Sequence, residues 1–164
     1  FAHVMAGAVI GPDCNMCGHA FVETGVTLGR NVPVKNGVLL FTGVTCDDDV
    51  FLGPGCVFTN DLRPRAALKR PASELLPTRV GRGATIGANA TIICGHEVGP
   101  HSMVAAGAVV VGDVPAHALV AGSPARRIGW VCECGARLGD DLVCGDCGKS
   151  FRPAPSGAGL EPAG

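Results

Sequence analysis

An apolar residue returns every six positions along most of this chain, a spacing that neither a helix of 3.6 residues per turn nor a short alternating strand sustains. Val4, Ile10, Met16, Val22, Leu28, Val34, Leu40, Cys46, Leu52 and Phe58 keep one register, and Val80, Ile86, Ile92, Val98, Val104 and Val110 resume it. So short an internal repeat predicts an all-β fold: a parallel β-helix in which three hexads form one triangular coil and the coils stack at about 4.8 Å. Position i then points into the lumen. Position i+4 turns inward near a corner and must be small, which Ala8, Cys14, Ala20, Val26, Val32, Val38, Val44, Val50, Cys56, Ala84, Ala90, Ser102 and Ala108 satisfy. Glycine recurs at i+1 (Gly11, Gly29, Gly53, Gly81, Gly87, Gly99), where tight turning and close stacking tolerate no bulk. Twenty-five glycines beside 4% aromatics would be odd in a packed globule and suit a stack of tight coils.

One interruption divides the repeat. From Phe58 to Val80 the step is 22 residues, so the register breaks and a loop over residues 61–79, punctuated by Pro64, Pro71 and Pro77, must leave the stack. Long loops on a rigid scaffold are usually functional or disordered. The hexads fade after Val110, the run Ala121–Arg127 closes the end of the stack, and Trp130 joins it to the cysteine-bearing segment. This reading gives a β-helix over residues 1–130, a small unit over 131–151, and a tail over 152–164 whose Pro/Gly/Ala/Ser composition predicts disorder. The chain opens at Phe1 in mid-hexad, as a fragment lacking part of a coil would.

A net charge of −1 without a basic run recommends no nucleic-acid partner. No stretch reaches the ~20 apolar residues of a membrane span, and no signal peptide is visible. A cytoplasmic location suits both this and reduced thiols.

The nine cysteines fall into two sets. Cys14, Cys46 and Cys56 occupy lumen positions as small hydrophobes, and Cys17 and Cys94 share those coils without a paired spacing. Cys132-Glu-Cys134-Gly and Cys144-Gly-Asp-Cys147-Gly instead form two clips, each able to offer two thiolates to a tetrahedral Zn²⁺. A closed, structural zinc ribbon is the leading reading; two disulfides or unused thiols are the alternatives. Zinc would stabilise a unit too small for a core of its own.

The pattern [LIV]-G-x-x-[AVC]-x, seen in IGPDCN, LGRNVP, LGPGCV, VGRGAT and IGANAT, resembles the hexapeptide-repeat acyltransferases over about residues 1–130. That resemblance implies a left-handed β-helix, an exception to the usual right-handed crossover, assembled as a homotrimer with active sites at subunit interfaces. The segments Val57–Arg65, Val34–Val38, Gly43–Phe51, Gly87–Gly95 and Ala125–Trp130 sharpen it. Together they resemble nucleotide-sugar N-acetyltransferases, closest to those acting on UDP-2-acetamido-3-amino-2,3-dideoxy-glucuronate for O-antigen or surface polysaccharide, some of which carry a Cys-rich tail. The alternative acceptor is a dTDP-3-amino-3,6-dideoxyhexose.

The resemblance implies acetyl-CoA as cosubstrate. Its pantetheine arm would lie along the stack against the backbone of Ala105, Ala106, Gly107 and the Gly122 turn, with Arg126 and Arg127 for phosphates or simply as a solvated end cap. Sugar O-acetyltransferases of this fold place a histidine base at the loop exit, whereas this chain has Asn60. A hydroxyl needs a base, but a sugar amine with a pKa near the ~8 of an α-amino group is largely ready at neutral pH. Asn60 then orients the amine, or else merely caps the turn that begins the loop. Asp61 either assists or makes an Asx turn. Lys35 and Asn36 are candidates for the diphosphate or base, and equally for a solvated edge. Arg63 and Arg65 are candidates for a substrate carboxylate, which would favour a uronate. His3 and His19 lie in the first coils, near enough to approach a sugar.

His96 sits at an i+4 place, which predicts a buried, hydrogen-bonded imidazole. With His101 it also makes the five-residue spacing of γ-type carbonic anhydrases, a minor alternative. A non-catalytic hexapeptide scaffold is another, opposed by the extruded loop and Asn60.

Overall fold

The computed structural model describes residues 1–68 and 70–164; Lys69, inside the interruption, lies outside them. Two-residue strands recur every six residues and stack into three parallel sheets, which makes the molecule a nearly all-β parallel solenoid. Face 1 begins at His3–Val4, face 2 at Val9–Ile10 and face 3 at Asn15–Met16. Partners differ by 18 residues, as in His3↔Phe21, Val9↔Thr27 and Asn15↔Pro33, so each coil is three hexads. Across the interruption the step widens from 18 (Leu28↔Cys46) to 34 (Cys46↔Val80), yet the register resumes without a slip.

The lumen is filled as the period requires. Positions i and i+4 alternate in one continuous buried cluster running from Ala20 and Val22 through Phe58 to Val110 and Val120. In the coil nearest Phe1 the lumen positions are less covered: Val4 is exposed and Ile10 and Met16 are only partly buried. Buried in apolar surroundings, the Cys56 thiol is pushed up to about 12 and the Cys46 thiol is raised further in the same direction. Both are inert space-fillers.

The turning is done elsewhere than the sequence suggested. The i+1 glycines have ordinary φ, and their role is room: a Cβ on Gly53 would meet the Ile86 carbonyl oxygen at 2.6 Å and the Ala88 nitrogen at 2.8 Å in the next coil. The corner residue is i+3, which takes a left-handed φ on most coils, through Gly37 and Gly55 but also Asp13, His19, Asn31, Asp49, Asn89 and His101. Asp, Asn and His tolerate that region better than other side-chain-bearing residues. His19 and His101 are therefore explained as corners.

The extruded segment ends earlier than residue 79, because Thr78–Val80 is already a strand of face 2 with Thr78 buried. Beyond the last coil, Ala118–Ala121 pairs antiparallel with Arg126–Trp130, and Trp130 packs against both the lumen cluster and a second cluster of Cys132, Leu138, Cys144, Phe151 and Leu160. The tail is not disordered. Phe151–Pro153 and Leu160–Pro162 form an antiparallel hairpin, and the Leu160 N–H donates to the Ala116 carbonyl at 3.2 Å. Leu160, an apolar residue in an otherwise small and polar stretch, and Phe151 just before that stretch supply the burial that average composition concealed. No helix is long and apolar enough to cross a membrane among the described residues.

Candidate active site

The chain leaves the stack through a fastened collar. The Leu76 N–H donates to the Asn60 carbonyl at 2.9 Å, closing the neck of the loop. From the next coil the Cys94 N–H donates to Thr59 Oγ1 at 3.0 Å, and the Gly95 N–H to the Pro77 carbonyl at 2.9 Å. Asn60 thus has a fixed backbone, while its side chain makes no hydrogen bond among the described residues and lines a groove of about 430 Å³ with Asp61, Pro64, Arg65 and Arg70. Asp61 is committed: its Oδ1 accepts the Arg63 N–H at 2.7 Å and lies 3.4 Å from Arg70 Nε. That is the Asx turn, braced by a cation. Arg63 and Arg65 are exposed, and Arg65 Nη1 donates to the Pro64 carbonyl at 2.9 Å.

The remaining candidates lie on a different edge. Lys35 and Asn36 follow the face 3 strand Pro33–Val34, and Ala105, Ala106 and Gly107 follow Met103–Val104 three coils later on the same corner. Lys35 Nζ stands 5.8 Å from the Phe51 ring centroid. Ala105 donates its N–H to the Val120 carbonyl and Gly107 to that of Ala88, both at 2.8 Å, so of the three amides only that of Ala106 is free of the stack. The Gly122 carbonyl accepts the Val109 N–H, Arg126 Nη1 donates to the Ala125 carbonyl, and the Arg127 guanidinium lies 4.3 Å from the Trp130 ring. All of face 1 separates this edge from Asn60. One chain alone does not bring the two sets together.

His96 corrects the sequence reading. The buried position in its hexad is Cys94, two residues earlier, because this corner must fit over the collar. The imidazole is 30% exposed, with Nδ1 3.5 Å from Asp113 Oδ1. It lines a face 2 groove of about 730 Å³ together with Thr45, Asp47, Arg79 and Asp113. His101 belongs to the following corner, where its ring stacks on His117 at 5.3 Å. Within one chain the two histidines therefore sit on different corners and do not converge. Asp113 went unnoticed in the sequence because it falls where the hexads fade.

The four late cysteines do converge. Cys132, Cys134, Cys144 and Cys147 have all their sulfurs within 4.8 Å of one another, with Cys132–Cys147 at 3.4 Å and Cys134–Cys144 at 3.6 Å. A tetrahedron of sulfurs about 2.3 Å from a zinc ion has edges of about 3.8 Å, so the donor set fits that ion; a disulfide needs about 2.05 Å. The Cys147 and Asp146 N–H groups point at the Cys144 thiol and draw its pKa down to about 7, whereas burial pushes Cys132 up to about 12. A bound dication would make thiolates of both.

Residues 7–41 and 77–111 match the family model described as the hexapeptide repeat of succinyl-transferase. The chain is 45% identical over 80 residues to a dTDP-3-amino-3,6-dideoxy-alpha-D-galactopyranose 3-N-acetyltransferase of Aneurinibacillus thermoaerophilus, covering 47% of this chain and 41% of that one. It is 37% identical over 105 residues to serine acetyltransferase 2 of Arabidopsis thaliana, covering 64% and 26%. The chain therefore spans less than half the length of these curated relatives. Among solved structures, a hexapeptide-repeat-containing acetyltransferase of Vibrio cholerae complexed with acetyl-coenzyme A superposes with a TM-score of 0.58 at 27% identity, covering 79% of this chain and 69% of that one. The acetyltransferase domain of PglB from Neisseria gonorrhoeae, also with acetyl-coenzyme A, gives 0.61 at 26%, covering 77% and 54%. Six-residue repeats in three-hexad coils make this chain a hexapeptide-repeat β-solenoid, and the relatives it resembles over that repeat are acetyltransferases.

Proposed function

We propose that the protein transfers the acetyl group of acetyl-CoA to the 3-amino group of a nucleotide-linked amino sugar. The observation that carries this is Asn60: a fixed residue with an unengaged carboxamide at the neck of the only long loop among the described residues, where a hydroxyl acceptor would call for a base. The Asn60 side-chain oxygen accepts a hydrogen bond from the amine and aims its lone pair at the thioester carbonyl. The C–N bond forms as the C–S bond breaks; the thiolate or solvent takes the surplus proton. Asp61, held in its turn, keeps the loop exit in shape.

The relative acting on a dTDP-3-amino sugar favours a dTDP-3-amino-3,6-dideoxyhexose as acceptor. The UDP-linked uronate stands second, supported by the Arg63 guanidinium, which makes no ion pair among the described residues. Three copies around a threefold axis would set the Asn60 edge of one chain against the Ala106 edge of its neighbour. The outward residues of face 1 suit that packing: Phe21, Leu39, Val57 and Val109 are partly exposed, whereas face 2 presents Thr27, Thr45, Arg79 and Glu97.

The test is thiol release from acetyl-CoA with dTDP- and UDP-linked 3-amino sugars. Asn60→Ala should lower kcat/KM about 100-fold, in the range of an orienting or oxyanion contact, and leave the oligomer intact. If the folded wild-type chain acetylates no sugar amine, the proposal fails.

A further inference from the structure

The Cys-bearing unit adds something to the end of the solenoid besides cover. After Cys132 and Cys134 the chain reverses, the Cys132 N–H donating to the Ala136 carbonyl at 2.8 Å, and Val131 pairs antiparallel with Arg137. This reversal lays Arg137 along Arg126–Trp130, the last strand of face 3. Arg137 Nη2 donates to the Ile128 carbonyl at 2.7 Å. Its guanidinium lies flat over Gly129, where a Cβ would meet Nε, Nη2 and Cζ at 3.1, 3.2 and 3.4 Å. Arg127 comes from the strand itself and is held over Trp130. The two guanidinium groups line a groove of about 460 Å³, one contributed by the solenoid cap and one by the Cys-bearing unit. Asp140 lines it too and is its one acidic group.

We infer that this groove holds the phosphorylated adenosine end of coenzyme A, with Arg137 meeting the 3′-phosphate. The inference rests on the acetyl-CoA reading of the site. A pantetheine arm beside Ala106 and the Gly122 turn reaches Arg126 and Arg127 first, which suits the diphosphate. Arg137 lies beside Ile128 and Gly129 of the same strand, where the ribose would come next. A phosphate beside the planar Arg137 guanidinium, which the Ile128 carbonyl already holds in place, accepts charge-assisted hydrogen bonds that a freely moving exposed arginine does not supply. The Cys-bearing unit is then part of the donor site.

Calorimetric titration of acetyl-CoA and of 3′-dephospho-acetyl-CoA into the full chain tests this without any acceptor. The wild type should prefer acetyl-CoA about tenfold, the scale of one charge-assisted contact. Arg137→Gln should bind acetyl-CoA about tenfold more weakly and the dephospho form unchanged, abolishing the preference. Arg137→Lys, which keeps the charge and loses the fork, should restore the preference to within about threefold of wild type. The inference is overturned if Arg137→Gln keeps the wild-type preference, or if it weakens both ligands equally, as a merely structural arginine would. Should the wild type bind neither compound, the acetyl-CoA reading falls as well, and that outcome is distinct from the other two.

Discussion

The two ends of this molecule solve the same problem with different means. The solenoid repeats one small solution, in which every coil adds two or more apolar side chains to a lumen already closed by its neighbours. The Cys-bearing end has no neighbour to repeat against. Its cluster is Cys132, Leu138, Cys144, Phe151 and Leu160, with Trp130 shared from the cap, and two of those five are cysteines. So few side chains bury too little apolar surface to offset the ordering of some thirty residues. What differs between the regions is the source of order: accumulated burial in one and, we propose, a metal cross-link through four sulfurs in the other.

Removing that cross-link should give the largest effect. We expect one zinc ion per chain, and expect that stripping it with a chelator, or replacing Cys147 by serine, unfolds the region following Val131 while leaving the coils standing. Apparent zinc contributions of about 10 kcal/mol in small metal-held domains leave no margin for apo order here. Hydrogen exchange checks it: protection should vanish at Cys144 and Phe151 and persist at Val57 and Thr85. Equal loss in both regions would show that the solenoid depends on its cap.

Within the coils the corresponding break is a side chain. Phe58 is the largest side chain of the lumen cluster and sits where the loop leaves. Phe58→Ala should cost about 3–5 kcal/mol by urea denaturation, the range for deleting a buried aromatic. Gly53→Ala is the finer probe. The added methyl group faces backbone atoms at 2.6–2.8 Å that belong to the next coil and cannot rotate away. A cost of about 1–3 kcal/mol is expected there, as for other overpacked sites.

The six-residue period made the coils, the lumen positions and the place of the loop legible, because each hexad sees the same surroundings. It assigned the turn to the wrong glycines, since spacing shows recurrence and not φ; the mixed Gly, Asp, Asn and His at i+3 carried that information unread. His96 was misplaced for a related reason: beside the collar the inward position shifts to Cys94, and no periodic argument survives a change of corner. The four cysteines announced themselves by spacing. Arg137 did not, because its place depends on a chain reversal that the clips produce only in three dimensions. The hairpin at Phe151–Pro162 was hidden by averaging over 152–164, which dilutes Leu160 among small and polar neighbours and cuts it off from Phe151 across the hairpin. As for the candidates, the break in the repeat put Asn60 at the neck of the loop, whereas their division between two edges is a property of the folded prism alone.

The smallest effect expected concerns the joint between the two regions. His117 is a left-handed corner of the last coil, buried between the His101 ring at 5.3 Å and the Phe151 ring at 4.7 Å, with its Nδ1 3.0 Å from the Val131 carbonyl. Burial lowers its pKa below the usual 6.5, aided by His101 and opposed by the Val131 carbonyl and Glu133. The folded state therefore favours the neutral ring. Its contribution is complete above pH 6.5, where the ring is neutral folded or unfolded, and is lost as pH falls from there toward the lowered folded value. A single proton limits the slope to about 1.4 kcal/mol per pH unit. The measurement is the difference in denaturation midpoint between wild type and His117→Gln from pH 7.5 to 5.5. Subtracting the variant removes the shared acid sensitivity of the thiolates. A difference that shrinks on acidification supports a joint held by a neutral histidine; one that stays flat would assign His117 to packing alone.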